Sequence, residues 1–111
     1  MSIYRWSEDM ILVDLPEELD KHDILQKVIA LLHHEGACDV VVDFSRVRVV
    51  GGAWLTRLRK IQQLAHEGGH KLTLCDVTPA IRGIFTIVRL DHLFEFAEDA
   101  FTVLASPQMV G

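Results

Sequence analysis

Two aspartates stand where acid–base chemistry could take place. Asp43 ends the apolar run 40–42, and Asp76 directly follows the run 71–75. Two carboxylates at neighbouring strand ends could bind a small ligand, accept a phosphoryl group as in a receiver domain, or serve as the acid and base of a hydrolase. A receiver would also need paired acids after its first strand and a lysine at a later strand end, and neither is apparent. Loop capping by these aspartates is therefore favoured, with a small-ligand binder or enzyme using Asp43 and Asp76 as the alternative.

A glycine pair offers a second candidate site. Gly51 and Gly52 precede a predicted helix, which is where phosphate-binding loops place their glycines. The segment lacks the Lys-Ser/Thr of a P-loop and the third glycine of a dinucleotide fingerprint. Neither Cys75 nor Ser45 stands in a local signature of nucleophilic catalysis. We therefore expect no catalytic residue and no cofactor.

Metal ligation finds equally little support in the spacing of thiols and imidazoles. Cys38 and Cys75 are the two cysteines, and they lie far apart without a CxxC pair, which favours reduced core residues. None of the six histidines pairs with a second ligand at a recognisable spacing. His66 and His70 are four residues apart, but the intervening glycines 68–69 should end the helix, so the two need not share a face. We expect no metal site.

Size and charge exclude several classes of protein. A chain of 111 residues that is half hydrophobic can build one core, so we expect a single domain over residues 1–111. The net charge of −5 argues against a nucleic-acid partner, which calls for a basic surface. The acidic start lacks the pattern of an export signal, and no apolar run approaches the roughly 20 residues that cross a bilayer. The expected location is the cytoplasm, without direct membrane insertion.

Hydrophobic periodicity predicts strands that alternate with helices. The predicted strands cover residues 3–6, 10–15, 39–44, 71–75 and 93–96. The first two form a hairpin around a three-residue loop at 7–9. The run 40–42 is β-branched without alternation, the pattern of a strand covered on both faces. The order β-β-α-β-α-β-α-β-α follows from these strands and the helices between them.

The helices are marked by their caps and apolar stripes. Asp20 or Asp23 can cap the first, which Gly36 ends; the second begins near Trp54 and runs to the glycines at 68–69. Thr78 as N-cap with Pro79 at the first helical position opens the third. Asp99 can cap a last helix that runs through residue 104, and residues 106–111 are expected to form a loose tail.

This order predicts an α/β fold with a mixed, mostly parallel sheet of about four to five strands, flanked by about four helices. In such sheets, functional residues gather where strand C-termini meet helix N-termini. That edge should hold the end of the central strand, the glycine pair and the start of the third helix. The residues concerned are Asp43, Ser45, Gly51, Gly52, Asp76 and Thr78.

Several short segments, in order, resemble the STAS domains of bacterial anti-sigma-factor antagonists. Residues 41–45 (VVDFS) are similar to the family's V-L-D-L-S strand end, and 68–74 (GGHKLTL) to its G-G-x-L-x-L strand entry. Residues 78–82 (TPAIR) resemble S-P-x-V-R, and 90–94 (LDHLF) resemble the closing G-L-D-x-L-F. The resemblance spans residues 40–94 and implies a STAS-like fold and a non-enzymatic protein-interaction module.

The chain departs from the family at its switch site. The family carries D-S-S-G-L or D-S-x-G-L there, and a partner kinase phosphorylates a serine or threonine of that motif. A gapless alignment puts Gly51 at the aspartate, Gly52 at the phosphoacceptor, Ala53 at the next serine and Trp54 at the glycine. Glycine has no hydroxyl, so the resemblance implies that this position cannot be phosphorylated. The surface would then stay in the state that captures a kinase-type anti-sigma factor.

The expected partner-binding surface lies around this degenerate site. It comprises Gly51, Gly52, Ala53, Trp54 and Arg57, with the strand end at Asp43 and Ser45. Trp54 could contact a partner or, through its helical spacing to Leu58 and Ile61, belong to the core, and both interpretations stay open here. Arg57, Arg59 and Lys60 could steer an acidic partner or form a solvated face.

These observations predict transcription regulation through a protein partner, either a kinase-type anti-sigma factor or a related signalling protein. The resemblance also leaves open a scaffold or transporter accessory subunit, since similar domains serve signalling complexes and lipid-transport ABC systems. Phosphorylation at another hydroxyl, such as Ser45, Thr56 or Thr78, is a further alternative. The sequence does not decide between a monomer and a homodimer.

Overall fold

The computed structural model describes residues 2–19, 24–51 and 53–105. Its strands are β1 (Ser2–Ser7), β2 (Met10–Asp14), β3 (Asp39–Asp43), β4 (Leu72–Cys75) and β5 (Glu95–Ala97). Its helices are α1 (Ile24–Glu35), α2 (Trp54–Glu67), α3 (Pro79–Ile87) and α4 (Ala100–Ala105), with a 3₁₀ turn at Asp91–Leu93. The described residues therefore confirm the predicted element order.

The five strands form one sheet whose spatial order, β1-β2-β3-β4-β5, is the order along the chain. β1 and β2 pair antiparallel as a hairpin, whereas β2–β3, β3–β4 and β4–β5 pair parallel. Each parallel connection passes through a helix, as parallel pairing requires. The prediction of a mixed, mostly parallel sheet is confirmed.

The central strand is covered on both faces, as its sequence predicts. Val40 and Val42 belong to the main core, which the sheet shares with α1, α2 and α3. Val41 points to the opposite face and packs in a second cluster with Met10, Cys75 and Ala100 under α4. An uninterrupted β-branched run suits this position because neither face of β3 meets water.

Aromatic rings fill the main core beside the C-terminal half of the sheet. Phe85 of α3 is fully buried and makes edge-on contacts with Trp54, Phe94 and Phe96 at centroid distances of 5.4, 5.3 and 5.4 Å. Edge-on aromatic pairs stabilise a core beyond the burial of area alone. This cluster ties α2, α3 and the β5 region to one another.

Two of the predicted helix caps are present. The Thr78 hydroxyl accepts a hydrogen bond from the backbone N–H of Ile81 at 3.3 Å, with Pro79 in the first turn of α3. Asp99 Oδ1 accepts from the N–H of Thr102 at 2.6 Å. The proposed caps of α1 (residues 20 and 23) and the tail at 106–111 lie outside the described residues.

Several strand boundaries differ from the prediction. β2 and β3 end one residue earlier, at Asp14 and Asp43, and β4 begins one residue later, at Leu72. The other differences lie at the hairpin turn and at the last strand. β1 extends to Ser7, so the hairpin turn is Glu8-Asp9, and the extra residue is absorbed by a register shift between Arg5 and Ser7. β5 covers Glu95–Ala97 instead of 93–96, because Leu93 closes a 3₁₀ turn by donating its N–H to the Leu90 carbonyl. In the described part of the chain, no helix has the length and apolar content needed to cross a bilayer.

Candidate protein-interaction surface

The C-terminal ends of β2, β3 and β4 meet at one edge of the sheet. Asp43 at the end of β3 is in register with Asp14 on one side and Cys75 on the other. The N–H of Phe44 donates to the Cys75 carbonyl at 2.9 Å, and the N–H of Leu15 donates to the Asp43 carbonyl at 3.2 Å. This edge therefore brings together the strand ends on which the sequence places its candidate residues.

The two candidate aspartates at this edge make local backbone contacts. Asp43 Oδ1 accepts a hydrogen bond from the N–H of Ser45 at 2.8 Å, which makes a tight turn after β3. Asp76 has a φ of 56°, a left-handed conformation that aspartate and asparagine tolerate better than most residues. Its carboxylate accepts from the N–H of Ala100 at the start of α4. Both side chains thus serve as loop caps.

A third acid joins this edge. Asp99 reaches it because β5 lies beside β4, and the N–H of Asp76 donates to the carbonyl of Glu98 at 3.2 Å. Burial and the negative charge of Asp43 raise the pKa of Asp76, and the charge of Asp99 adds to this effect. From the sequence, Asp99 was predicted only as a helix cap. Its position at the end of the last strand was the signal that it lies at the same edge as Asp43 and Asp76.

The raised pKa of Asp76 makes a pH-dependent contribution to stability. A carboxyl group that holds its proton more tightly in the folded chain favours folding below its unfolded pKa, and this contribution is lost as pH rises through the folded pKa. Asp76→Asn keeps both an acceptor for Ala100 and tolerance of the left-handed φ. We expect this variant to have a higher Tm than the wild type at pH 7. The difference should vanish below the ordinary value of 3.8, as thermal unfolding at several pH values would measure.

Asp99 supplies the control of opposite sign. Hydrogen bonds from Thr102 lower the pKa of Asp99, so its contribution is present above the unfolded pKa and lost as pH falls through the folded pKa. Asp99→Asn should therefore have a lower Tm than the wild type at pH 7. If the two asparagine variants shifted Tm in the same direction, the electrostatic account of this edge would be wrong.

The thiols are poorly suited to nucleophilic catalysis. Cys75 is fully buried, and desolvation, reinforced by Asp43, Asp76 and Asp99, raises its pKa to about 12. Cys38 is also buried and free. Since the thiolate is the reactive form, both behave as core residues. Among the described residues, no group of three or more histidine, cysteine, aspartate or glutamate side chains could hold a metal ion.

The connection between β3 and α2 is anchored to the segment that follows β2. Val47 is buried, while the N–H groups of Arg48 and Val49 both donate to the carbonyl of Glu17, at 2.9 and 3.0 Å. The N–H of Leu19 donates in return to the Val49 carbonyl at 3.1 Å. These bonds hold the approach to α2 against the protein body.

The predicted switch site lies at the start of α2. Gly51 is half-buried and Ala53 is exposed at the N-cap position, where its carbonyl accepts from the N–H of Arg57 at 2.9 Å. Gly52, the residue aligned with the phosphoacceptor, lies outside the described residues. Alanine carries no side-chain oxygen with which to cap the helix.

Trp54 belongs to the core. Its side chain is 5% exposed and packs edge-on against Phe44 at 6.4 Å and Phe85 at 5.4 Å. The spacing to Leu58 and Ile61, both fully buried, therefore reflected the buried face of α2. Of the two interpretations that the sequence left open, the structure shows the buried one: the indole anchors the start of the helix and leaves the surface to its neighbours.

Two depressions lie away from this edge, and neither is lined by Asp43 or Asp76. One, of about 280 Å³, is lined by residues that include His66, His70 and Lys71. His66 and His70 thus face the same depression despite the glycines between them, and His70 Nδ1 lies 3.1 Å from Asp39 Oδ1. The other, of about 310 Å³, lies between β1 and α1.

Comparisons with known proteins agree with this architecture. A solved anti-sigma-factor antagonist (STAS) domain protein from Planctomyces limnophilus superposes with a TM-score of 0.77 at 14% identity, covering 93% of each chain. RsbS from Moorella thermoacetica, solved as a serine-to-glutamate variant, gives 0.71 at 26% identity, covering 92% of this chain and 91% of its own. A chain from a structure of the stressosome, a signal integration and transduction hub, gives 0.70 at 26% identity over 90% of each. No curated protein matches the sequence.

The family comparison covers most of the chain. The family model described as "Mlab, STAS domain" matches residues 3–96, from β1 through most of β5. This span exceeds the segment 40–94 on which the sequence resemblance rested, and it takes in the N-terminal hairpin and α1. The chain therefore belongs to the STAS domain family, with the fold of the anti-sigma-factor antagonists.

Proposed function

We propose that this chain is a non-enzymatic, cytoplasmic interaction module that binds a kinase-type anti-sigma factor, or a related signalling protein, without being phosphorylated at the usual position. The surface it would use comprises Gly51, Gly52, Ala53 and Arg57 at the start of α2, with Asp43 and Ser45 at the end of β3. Trp54 supports this surface from beneath.

One observation carries the proposal: the stretch between Ser45 and Thr56, which leads into α2 and includes the residue aligned with the phosphoacceptor, has no hydroxyl group. Between Ser45 and Thr56, every residue lacks a side-chain oxygen that a kinase could phosphorylate. Phosphorylation at a helix start adds nearly two negative charges and three acceptor oxygens. Without an acceptor at the usual position, the start of α2 keeps one charge state, and a partner that recognises the unmodified form would bind constitutively.

The geometry around the connection supports a preformed binding surface. The backbone bonds to Glu17 restrain the loop on one side, and the buried Trp54 restrains it on the other. Exposed Ser45 and Ala53 then lie at the two ends of a restrained connection. Because such a surface has little conformational freedom left to lose on binding, the entropic cost of ordering it reduces the affinity less.

Incubation with the candidate partner kinase and ATP tests the proposal. We expect the wild-type chain to bind the kinase in a pull-down and to show no added mass after incubation, because no hydroxyl stands at the family's phosphorylation position. Peptide mapping after the incubation would examine Ser45, Thr56 and Thr78 individually. Stoichiometric phosphorylation at Ser45 or Thr56 that released the kinase would overturn the proposal, as would the failure of every anti-sigma kinase of the native cell to bind.

A transporter accessory subunit is the second candidate, and the family description favours keeping it, since the matching model is named for Mlab. The same surface at the start of α2 would then contact a transport ATPase subunit. Purification of the tagged chain from its native cell separates the two candidates. Recovery of a transport ATPase without a kinase would support the accessory role, whereas recovery of a kinase alone would oppose it.

A further inference from the structure

The two outermost strands of the sheet, which form its lateral edges, differ in length. β5, at one edge, has three residues, whereas β1, at the other, has six. An edge strand presents unpaired N–H and C=O groups along its outer side, and a long edge can pair with a strand of another chain. β1 is therefore the edge with more capacity for such pairing.

β1 carries few of the features that usually protect an edge strand. It contains neither proline nor lysine, both of which discourage pairing. Its one charged residue, Arg5, makes contacts within its own chain. Arg5 Nη2 lies 2.9 Å from Glu35 Oε1, and Nη1 donates to the Glu8 carbonyl at 3.3 Å. The register shift between Arg5 and Ser7 disturbs the far end of the strand only.

Apolar surface flanks this edge on both faces of the sheet. Tyr4 is in register with Leu12, which packs against the cluster under α4, and its side chain is 50% exposed. Ile3 lies on the other face, where it lines the depression between β1 and α1 with Ile11 and Leu31. Trp6, beside the register shift, is 54% exposed. A strand added to β1 would cover apolar groups on either side.

We infer that β1 pairs antiparallel with β1 of a second copy, about a two-fold axis that passes near Tyr4. Residues opposed in such a pair point to the same face, so Ile3, Tyr4 or Arg5 could lie on the axis. If Arg5 lay on the axis, the two guanidinium groups would face each other. If Ile3 lay on the axis, the two β1 strands would overlap over fewer residues. Tyr4 opposes Tyr4, sets Ile3 against Arg5, and sets Trp6 against Ser2.

A second copy suits this edge because an isologous contact needs only one self-complementary patch. The chain is acidic, but the charge of β1 itself is compensated by Glu35, so two such strands approach with little repulsion. Tyr4 would contact its counterpart, with Trp6 of each copy as a diagonal neighbour. One short ladder and a few side chains form a small interface, for which we expect a weak dimer with a Kd of roughly tens of micromolar.

Sedimentation velocity over a wide range of protein concentrations tests the inference. The wild type should pass from monomer to dimer, and Tyr4→Lys should weaken the dimer by about 10-fold or more, since an edge lysine opposes pairing. Phe101→Lys is the matched control, because Phe101 is 80% exposed on α4, away from the edge. Far-UV circular dichroism confirms that both variants fold. A wild type that stays monomeric throughout, or equal weakening by both lysines, would overturn the inference.

Disulfide trapping tests the register. Opposed residues in an antiparallel pair have Cα atoms about 4.5–5.5 Å apart, a separation that a disulfide can span. Tyr4→Cys should therefore form a covalent dimer under mild oxidation, while the buried Cys38 and Cys75 stay reduced. Trp6→Cys, displaced from the axis, should cross-link more slowly. If Trp6→Cys cross-linked as fast as Tyr4→Cys, the register would be wrong.

Discussion

Replacing Trp54 by alanine is expected to lower the free energy of unfolding by about 3–5 kcal/mol, the range for a large aromatic side chain removed from a core. The indole is 5% exposed and packs against Phe44 and Phe85, so its loss leaves a cavity between α2, α3 and the end of β3. A small domain has a total stability of about 5–15 kcal/mol, so this change removes a large part of it. Urea unfolding followed by circular dichroism measures the difference.

The chain's other tryptophan provides the matched control. Trp6 is 54% exposed on β1. At protein concentrations well below the Kd of the proposed dimer, Trp6→Ala should change the unfolding free energy by about 0.5 kcal/mol or less, as surface substitutions do. Trp54→Phe, which retains an aromatic ring, should fall between the two alanine variants. If Trp6→Ala and Trp54→Ala proved equally destabilising, the assignment of Trp54 to the core would fail.

Gly52→Ser is expected to restore a phosphorylation switch. With the partner kinase and ATP, this variant should gain the mass of one phosphoryl group, which the wild type should not. The phosphorylated variant should then bind the kinase about 100-fold more weakly, which corresponds to about 3 kcal/mol. The reason is that nearly two added negative charges and their desolvation oppose an interface formed with the unmodified surface. Intact-mass spectrometry and titration calorimetry provide the two measurements.

Gly52→Ala separates the hydroxyl from the side chain that carries it. This variant adds a methyl group without an acceptor, so it should remain unphosphorylated and should bind the kinase as the wild type does, with or without ATP. A phosphorylated Gly52→Ser variant that bound as tightly as the wild type would show that the start of α2 does not contact the kinase. The partner-binding surface would then lie elsewhere.

Much of the fold was predictable because local signals and the global pattern agree. The β-branched run at 40–42 predicted a strand covered on both faces, and Val40 and Val41 do pack on opposite sides. Thr78 and Pro79 placed the start of α3, where the hydroxyl caps the helix. The start of the last strand was not predictable from the alternation at 93–96, because Leu93 belongs to the 3₁₀ turn and β5 begins at Glu95.

The site was less predictable because its features depend on contacts between distant parts of the chain. The spacing of Trp54 fitted both a core stripe and a surface anchor, and only the position of Phe85 relative to α2 decides between them. The carboxylate of Asp76 meets Ala100 because β5 lies beside β4. Likewise, the open edge at β1 follows from the order of strands in the sheet, which hydrophobic periodicity does not encode.

The agreement between spatial and chain order in the sheet bears on how the protein is synthesised. Since every strand docks beside the one translated just before it, the sheet can lengthen in the direction of synthesis, with each crossover helix closing over strands already in place. The initial hairpin needs no residue beyond Asp14 for its own pairing. Nearest-neighbour topology keeps loop closures short, which favours rapid folding. In a nascent chain on the ribosome, the most recently added strand would therefore be the one that presents the edge at which the next strand pairs.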